Sequence, residues 1–121
     1  MITMPFPPSS LSGHAKGNWR GKHTPTAKWR ELAFHTAKAA GLSVPHPYTD
    51  HGDIVVHVSF CPPDKRGDRV NFPNRCKPIF DGIADALGVN DSRFVPVYYF
   101  CPIDRADPRV EIRLGFREAS Q

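Results

Sequence analysis

Two stretches of strict alternation limit what this chain can become. In one, Ile54, Val56, Val58 and Phe60 alternate with Val55, His57 and Ser59. In the other, Val110, Ile112, Leu114 and Phe116 alternate with polar neighbours that include Arg109, Glu111 and Arg113. A period of two sends successive side chains to opposite sides of an extended backbone, so both stretches are strands whose apolar face needs covering. The first, Asp53 to Cys61, is stopped by Pro62-Pro63. His57 is read simply as a residue on the less buried face of the sheet.

The chain offers two helices as cover. Thr24 caps the first, Pro25 takes its first helical position and Gly41 ends it. Its predicted buried stripe is Trp29, Leu32, Ala33 and Ala40, with Thr36 as the one polar member and Ala37 and Ala39 flanking it. The second helix lies between Asn74 and Leu87, with Pro78 in its first turn and Gly88 as its C-cap. It would bury Cys76, Ile79, Phe80, Ile83 and Leu87. Met1 to Phe6, and the Val-, Tyr- and Phe-rich run Phe94 to Cys101, complete four strands. Ser9 to His23 and Ser43 to Gly52 read as loops, and Asp104 to Pro108 as a turn. The predicted order is β-loop-α-β-α-β-β, an α+β fold with two helices packed on one mixed or antiparallel sheet. At 121 residues this is one domain, residues 1–121.

Charge is distributed unevenly. Residues 1–30 contain no Asp or Glu but carry Lys16, Arg20, Lys22, Lys28 and Arg30, while the rest of the chain has 11 basic and 12 acidic residues. The whole net excess of +4 therefore arises in the first quarter, as a face for a polyanion would require. His14, Lys16, Asn18, Trp19, Arg20, Lys22 and His23 mix cations with an aromatic, a composition suited to phosphate contact and base stacking. A solvated arm, with Trp19 as a lid over the core, is the plainer alternative. Three cysteines, Cys61, Cys76 and Cys101, form no C-x-x-C pair, which argues against a zinc finger or a disulfide scaffold. No stretch is apolar enough for a signal peptide or a bilayer span, so a cytoplasmic location and no membrane partner are expected.

The chemistry gathers between Pro63 and Phe94. Asp64 and Asp68 stand on a loop among Lys65, Arg66 and Arg69. Lys77, Asp81 and Asp85 recur every four residues on the second helix, and Asp91 follows on a turn. Loop carboxylates, a lysine and a turn aspartate are what metal-assisted phosphodiester hydrolysis needs. Carboxylates hold Mg²⁺ together with water and the substrate's phosphate oxygens, and a lysine neutralises charge that builds on the phosphate. On spacing alone, Asp81 and Asp85 are better explained as surface i,i+4 partners of small energetic value.

Over most of its length the chain resembles the RusA family of Holliday-junction resolvases. The resemblance rests on Pro5-Phe6-Pro7-Pro8-Ser9 followed by a basic loop, on Asp68-Arg69-Val70-Asn71, on Lys77, on Phe80-Asp81-Gly82-Ile83 and on Asn90-Asp91. It implies a small homodimeric endonuclease, dependent on Mg²⁺ with Mn²⁺ as an alternative, that binds four-way or otherwise branched DNA and serves recombination and repair. By position it makes Asp68 and Asp91 metal ligands, Lys77 the catalytic cation and Asn71 a residue that shapes the loop. Asp64 and Asp81 are supporting carboxylates. Lys16, Trp19, Arg20, Lys22, Arg66 and Arg69 become the DNA contacts. Val70 stands where the family's second carboxylate belongs, and Asn90 replaces the first acid of its D-D turn. A second register, counted back from Lys77, places Asn71 and Pro73 on both acidic positions. Either way a carboxylate is missing, which keeps open a junction-binding protein with weakened or lost catalysis.

Overall fold

The computed structural model describes residues 1–11, 19–44 and 52–116, and the side chains of all of these except 19–24 and 116. The elements follow the predicted order. They are β1 (Ile2–Pro5), α1 (Trp19–Ala39), β2 (Ile54–Cys61), α2 (Lys77–Leu87), β3 (Phe94–Phe100) and β4 (Arg109–Phe116). Short 3₁₀ segments cover Ser9–Leu11, Arg69–Arg75 and Asp91–Arg93. The fold is α+β, with two main helices against one mixed sheet.

The sheet order is β1-β4-β2-β3. β4 lies antiparallel to both β1 and β2, while β3 runs parallel to β2 at the edge. Register places Val58 beside Ile112 and Tyr98, and Ile112 beside Ile2, so one face carries a continuous apolar row across all four strands. Ile54, Val56, Val58 and Phe60 are fully buried, as the alternation requires, and so are Val110 and Ile112. Ile79, Ile83 and Cys76 of the α2 region complete the core against them. Phe72, from the 3₁₀ segment before α2, meets Phe60 at 5.6 Å and Phe6 at 5.1 Å between ring centroids. These offset and edge contacts hold the preceding loop to the sheet. At the far end, Arg109 bonds Asp104 at 2.8 Å and Glu111 at 2.7 Å, which fastens the turn into β4.

Two expectations about α1 change. The helix begins at Trp19, so Thr24 is internal and Pro25 sits inside it. A proline within a helix removes one i→i−4 hydrogen bond but need not mark a boundary. The buried face also turns. Ala33 and Ala37 are fully buried and Trp29 packs on the core, whereas Leu32 is 40% exposed and Ala40 lies exposed past the helix end.

The reason lies on α2. A Cβ built on Gly82 would stand 2.2 Å from the Arg30 carbonyl oxygen, 2.7 Å from the Ala33 Cβ and 3.0 Å from the Phe34 amide nitrogen. The helices therefore touch backbone to backbone, and α1 presents its smallest side chains there rather than its largest. α2 otherwise matches its prediction. Pro78 lies in its first turn, and Gly88 caps it in the left-handed region at φ 69°, with Val89 N–H donating to the Ala84 carbonyl at 3.1 Å.

Replacing Gly82 with Ala should destabilise the fold. Alanine gains about 1 kcal/mol of helix propensity over glycine, but overpacking costs about 1–3 kcal/mol, and contact with a fixed carbonyl favours the upper end. The net loss should be about 1–2 kcal/mol in urea unfolding, with an unchanged m-value. Burial pushes the Cys76 thiol up to about 12 and, together with its neighbour Cys101, the Cys61 thiol up to about 11. Both should resist alkylation at pH 8 in the native protein and react once it unfolds, as mass spectrometry would record.

Candidate active site

Lys77 is the first residue of α2, where the helix dipole disfavours a positive charge. Two carboxylates hold it there. Asp81, one turn along the same helix, lies 2.9 Å from the Lys77 ammonium, and Asp91 forms a short ion pair with it from the far side of the Gly88 turn. Gly88 reverses the chain after α2, and Asn90 then caps the Asp91–Arg93 turn by accepting the Ser92 N–H at 2.9 Å. The asparagine that replaces the first acid of the D-D pattern thus has a local structural duty. Lys77 remains 68% exposed at its side chain, so the cluster is open to solvent and to a ligand.

The electrostatics follow from these contacts. The Lys77 hydrogen bond, then that of Asp81, lowers the Asp91 carboxyl from its ordinary 3.8. Asp91 and then Asp81 raise the Lys77 ammonium from 10.5. Further along α2, Asp85 leaves this group and takes both arms of Arg30 from α1, at 2.8 and 3.0 Å. The stripe seen in the sequence therefore divides. Lys77 and Asp81 join Asp91, and Asp85 fastens one helix to the other.

Asp68 is placed elsewhere in the local bonding. It caps the 3₁₀ segment Arg69–Arg75, with Oδ1 accepting the Val70 N–H at 3.1 Å and its carbonyl accepting the Asn71 N–H at 2.9 Å. No hydrogen bond or ion pair links it to Lys77, Asp81 or Asp91. Asp64 is likewise committed to its own loop, accepting the Arg66 N–H at 2.8 Å. Asn71 is exposed, and so is Val70, at 75%, where the sequence pattern calls for a second carboxylate. Among the described residues no group of three or more His, Cys, Asp or Glu side chains is placed to hold a metal ion. The structure brings together Lys77, Asp81 and Asp91. The i,i+4 spacing of Asp81 from Lys77 is also what an ordinary surface pair shows, so the sequence marks it only as a supporting carboxylate.

Arg66 is exposed on the loop before the 3₁₀ segment, and Arg69 is exposed as the first residue of that segment. Trp19, Arg20 and Lys22 lie in the first turns of α1, rather than in the loop assigned to them, with their side chains outside the described set. Lys16 lies outside the described residues altogether. His57 on the open sheet face bonds the Tyr99 hydroxyl at 3.0 Å, and burial, helped by Arg113, lowers its pKa. It is thus a satisfied sheet residue. No described helix is long and apolar enough to cross a membrane.

No protein-family model matches the chain. It is 39% identical over 98 residues to an uncharacterized protein of Xylella fastidiosa, across 78% of this chain and 61% of that protein. The chain thus spans less than two thirds of the relative it matches.

The charge cluster has a defined pH window. The lowered Asp91 carboxyl contributes stability that is present above 3.8 and lost as pH falls through its folded value. The raised Lys77 ammonium contributes stability that is complete below 10.5 and lost as pH rises through its own folded value. Carboxyl NMR titration should find Asp91 below 3.8 in the native protein. In Lys77→Met it should rise toward that value, because the larger of the hydrogen bonds that lower it is lost.

Proposed function

We propose that this chain is a Mg²⁺-dependent endonuclease of the RusA type that cuts four-way junctions or other branched DNA by phosphodiester hydrolysis, in recombination and repair. The observation that carries the reading is a lysine kept at a helix N-terminus against the dipole, exposed, and shared by two carboxylates from separate elements. Exposed ion pairs add little to stability, so folding alone gives weak reason for this arrangement. Two carboxylates that share one ammonium also suit one divalent cation, because Mg²⁺ is commonly held by one or two carboxylates plus substrate phosphates and water. Asp81 and Asp91 would hold it, and Mn²⁺ suits the same oxygen donors. When bound, the ion supplies Lewis-acid polarisation of the phosphate and a lower pKa for water.

The chain's own residues do the rest. Lys77, fully protonated at neutral pH, releases one carboxylate contact and presents its ammonium to the phosphate oxygens on which charge develops. Lys16, Arg66, Arg69 and the basic start of α1, which holds Trp19, Arg20 and Lys22, bind the backbone and stack against bases. A homodimer belongs to the reading, because two symmetric cuts need two sites related by a two-fold axis. So does a cytoplasmic setting, in keeping with three free thiols.

The exposed Val70, and the absence among the described residues of a third carboxylate beside Asp81 and Asp91, favour a second reading, a junction-binding protein without cleavage. Incubation of the purified protein with a synthetic four-way junction, with Mg²⁺ or with EDTA, separates the two. Cleavage only with Mg²⁺ is expected, and salt-sensitive binding without cleavage would overturn the enzyme reading. Asp91→Asn and Asp81→Asn should each lower the cleavage rate at least about a hundredfold, a loss typical of removing transition-state electrostatics. Asp68→Asn keeps the helix cap and removes only the charge. Loss of cleavage there would assign Asp68 to the metal, and retention would leave it as a cap. Arg20→Ala with Lys22→Ala should weaken junction binding equally across sequences and lower the salt slope by about two, as measured by anisotropy.

A further inference from the structure

A groove of ≈ 540 Å³ shares no residue with Lys77, Asp81 and Asp91. Five prolines line it, with Pro5, Pro7 and Pro8 contributed by the end of β1 and the segment after it. Two arginines line it as well. Arg75 is fixed in place: its Nη1 donates to the Pro7 carbonyl at 3.1 Å, and its guanidinium stacks 5.0 Å from the Phe72 ring centre and 5.8 Å from that of Phe6. Gly67, at φ 83°, lets the loop close over it, since a Cβ there would come within 3.3 Å of the Arg75 Nη2. No carboxylate pairs with Arg75 among the described residues, and its buried Nε has no acceptor. Arginine stays charged even where burial lowers its pKa, so the groove holds a positioned cation without a counter-charge.

Arg66 is the second cation. Its backbone N–H donates to Oδ1 of Asp64, the acid of the described lining, and among the described residues no ion pair claims its side chain. Lys65, Arg69 and Arg105 line adjoining hollows of the same loop. The groove therefore combines flat apolar walls with two arginines that lack acidic partners among the described residues. Those features match a planar ring joined to a doubly acceptor-rich anion.

We propose that this groove binds one nucleotide unit of single-stranded DNA, its phosphate on Arg66 and Arg75 and its base against the proline faces. The inference rests on the DNA-acting reading above and adds to it a second anchor, for an unpaired strand next to the cleaved one.

The test is an amide NMR titration of the ¹⁵N-labelled full chain with thymidine 5′-monophosphate, thymidine, inorganic phosphate and N-acetyltryptophan. The monophosphate should shift Arg66, Gly67 and Arg75, and bind at least about tenfold more tightly than any of the other three. Arg66→Ala should weaken it about tenfold and Arg66→Lys less, while Arg113→Ala on the opposite sheet face should have no effect. Arg66 is exposed, so its removal leaves the fold intact and the titration readable. Equal binding of N-acetyltryptophan, shifts confined to other residues, or an unaltered Arg66→Ala titration would overturn the proposal. Junction cleavage that persists without any groove response would leave the nuclease reading standing and remove only this site. A groove response without cleavage would do the reverse.

Discussion

Everything on the helical side of this molecule depends on how closely two backbones approach at Gly82. The Arg30 carbonyl occupies the space a side chain would need, and the Arg30 guanidinium reaches round to Asp85 on the same helix. One residue of α1 thus meets α2 through its main chain and again through its charge. Because Asp81 is the immediate neighbour of Gly82, this contact also sets how the carboxylate faces Lys77. Packing and candidate chemistry are therefore mechanically joined. Little displacement of α2 is available to either without the other feeling it.

The strands were the most legible part of the sequence, because alternation is a local signal and burial of one face follows from it. β2 and β4 could be read residue by residue. Their neighbours could not. β4 inserts between β1 and β2 although β3 precedes it in the chain, and that choice is made by contacts distant in sequence. For α1 the misreading had two physical sources. Pro25 resembles a first-turn proline but is tolerated inside the helix, and Leu32 resembles a core residue but is turned outward by the small-residue seam. A signal for that seam did exist. A glycine in the middle of an otherwise good helix costs about 1 kcal/mol relative to alanine, and such a cost usually marks close packing.

The candidate site was legible in its residue types more than in its grouping. Lys77 and Asp91 stood out in the sequence, and the fold joins them in an ion pair. Asp81 was hidden by an innocent spacing. Asp68 drew attention as a loop carboxylate matched by the resemblance, but its place just before a helical segment makes it a cap, since a carboxylate there finds a backbone donor within two residues. Composition could mark Asp64, Asp68, Asp81, Asp85 and Asp91 as available acids. Only the fold could allot two of them to turns, one to an arginine and two to a lysine.

Both border strands of the sheet contain a proline, Pro5 in β1 and Pro96 in β3. A proline brings no donor to a border, so neither flank offers the uninterrupted row of main-chain groups on which another chain could zip. The sheet is thereby guarded against growing sideways into larger ribbons. Two copies that meet in solution must then recognise each other through side chains, which can be specific about partner and angle, rather than through the indiscriminate ladder of the main chain.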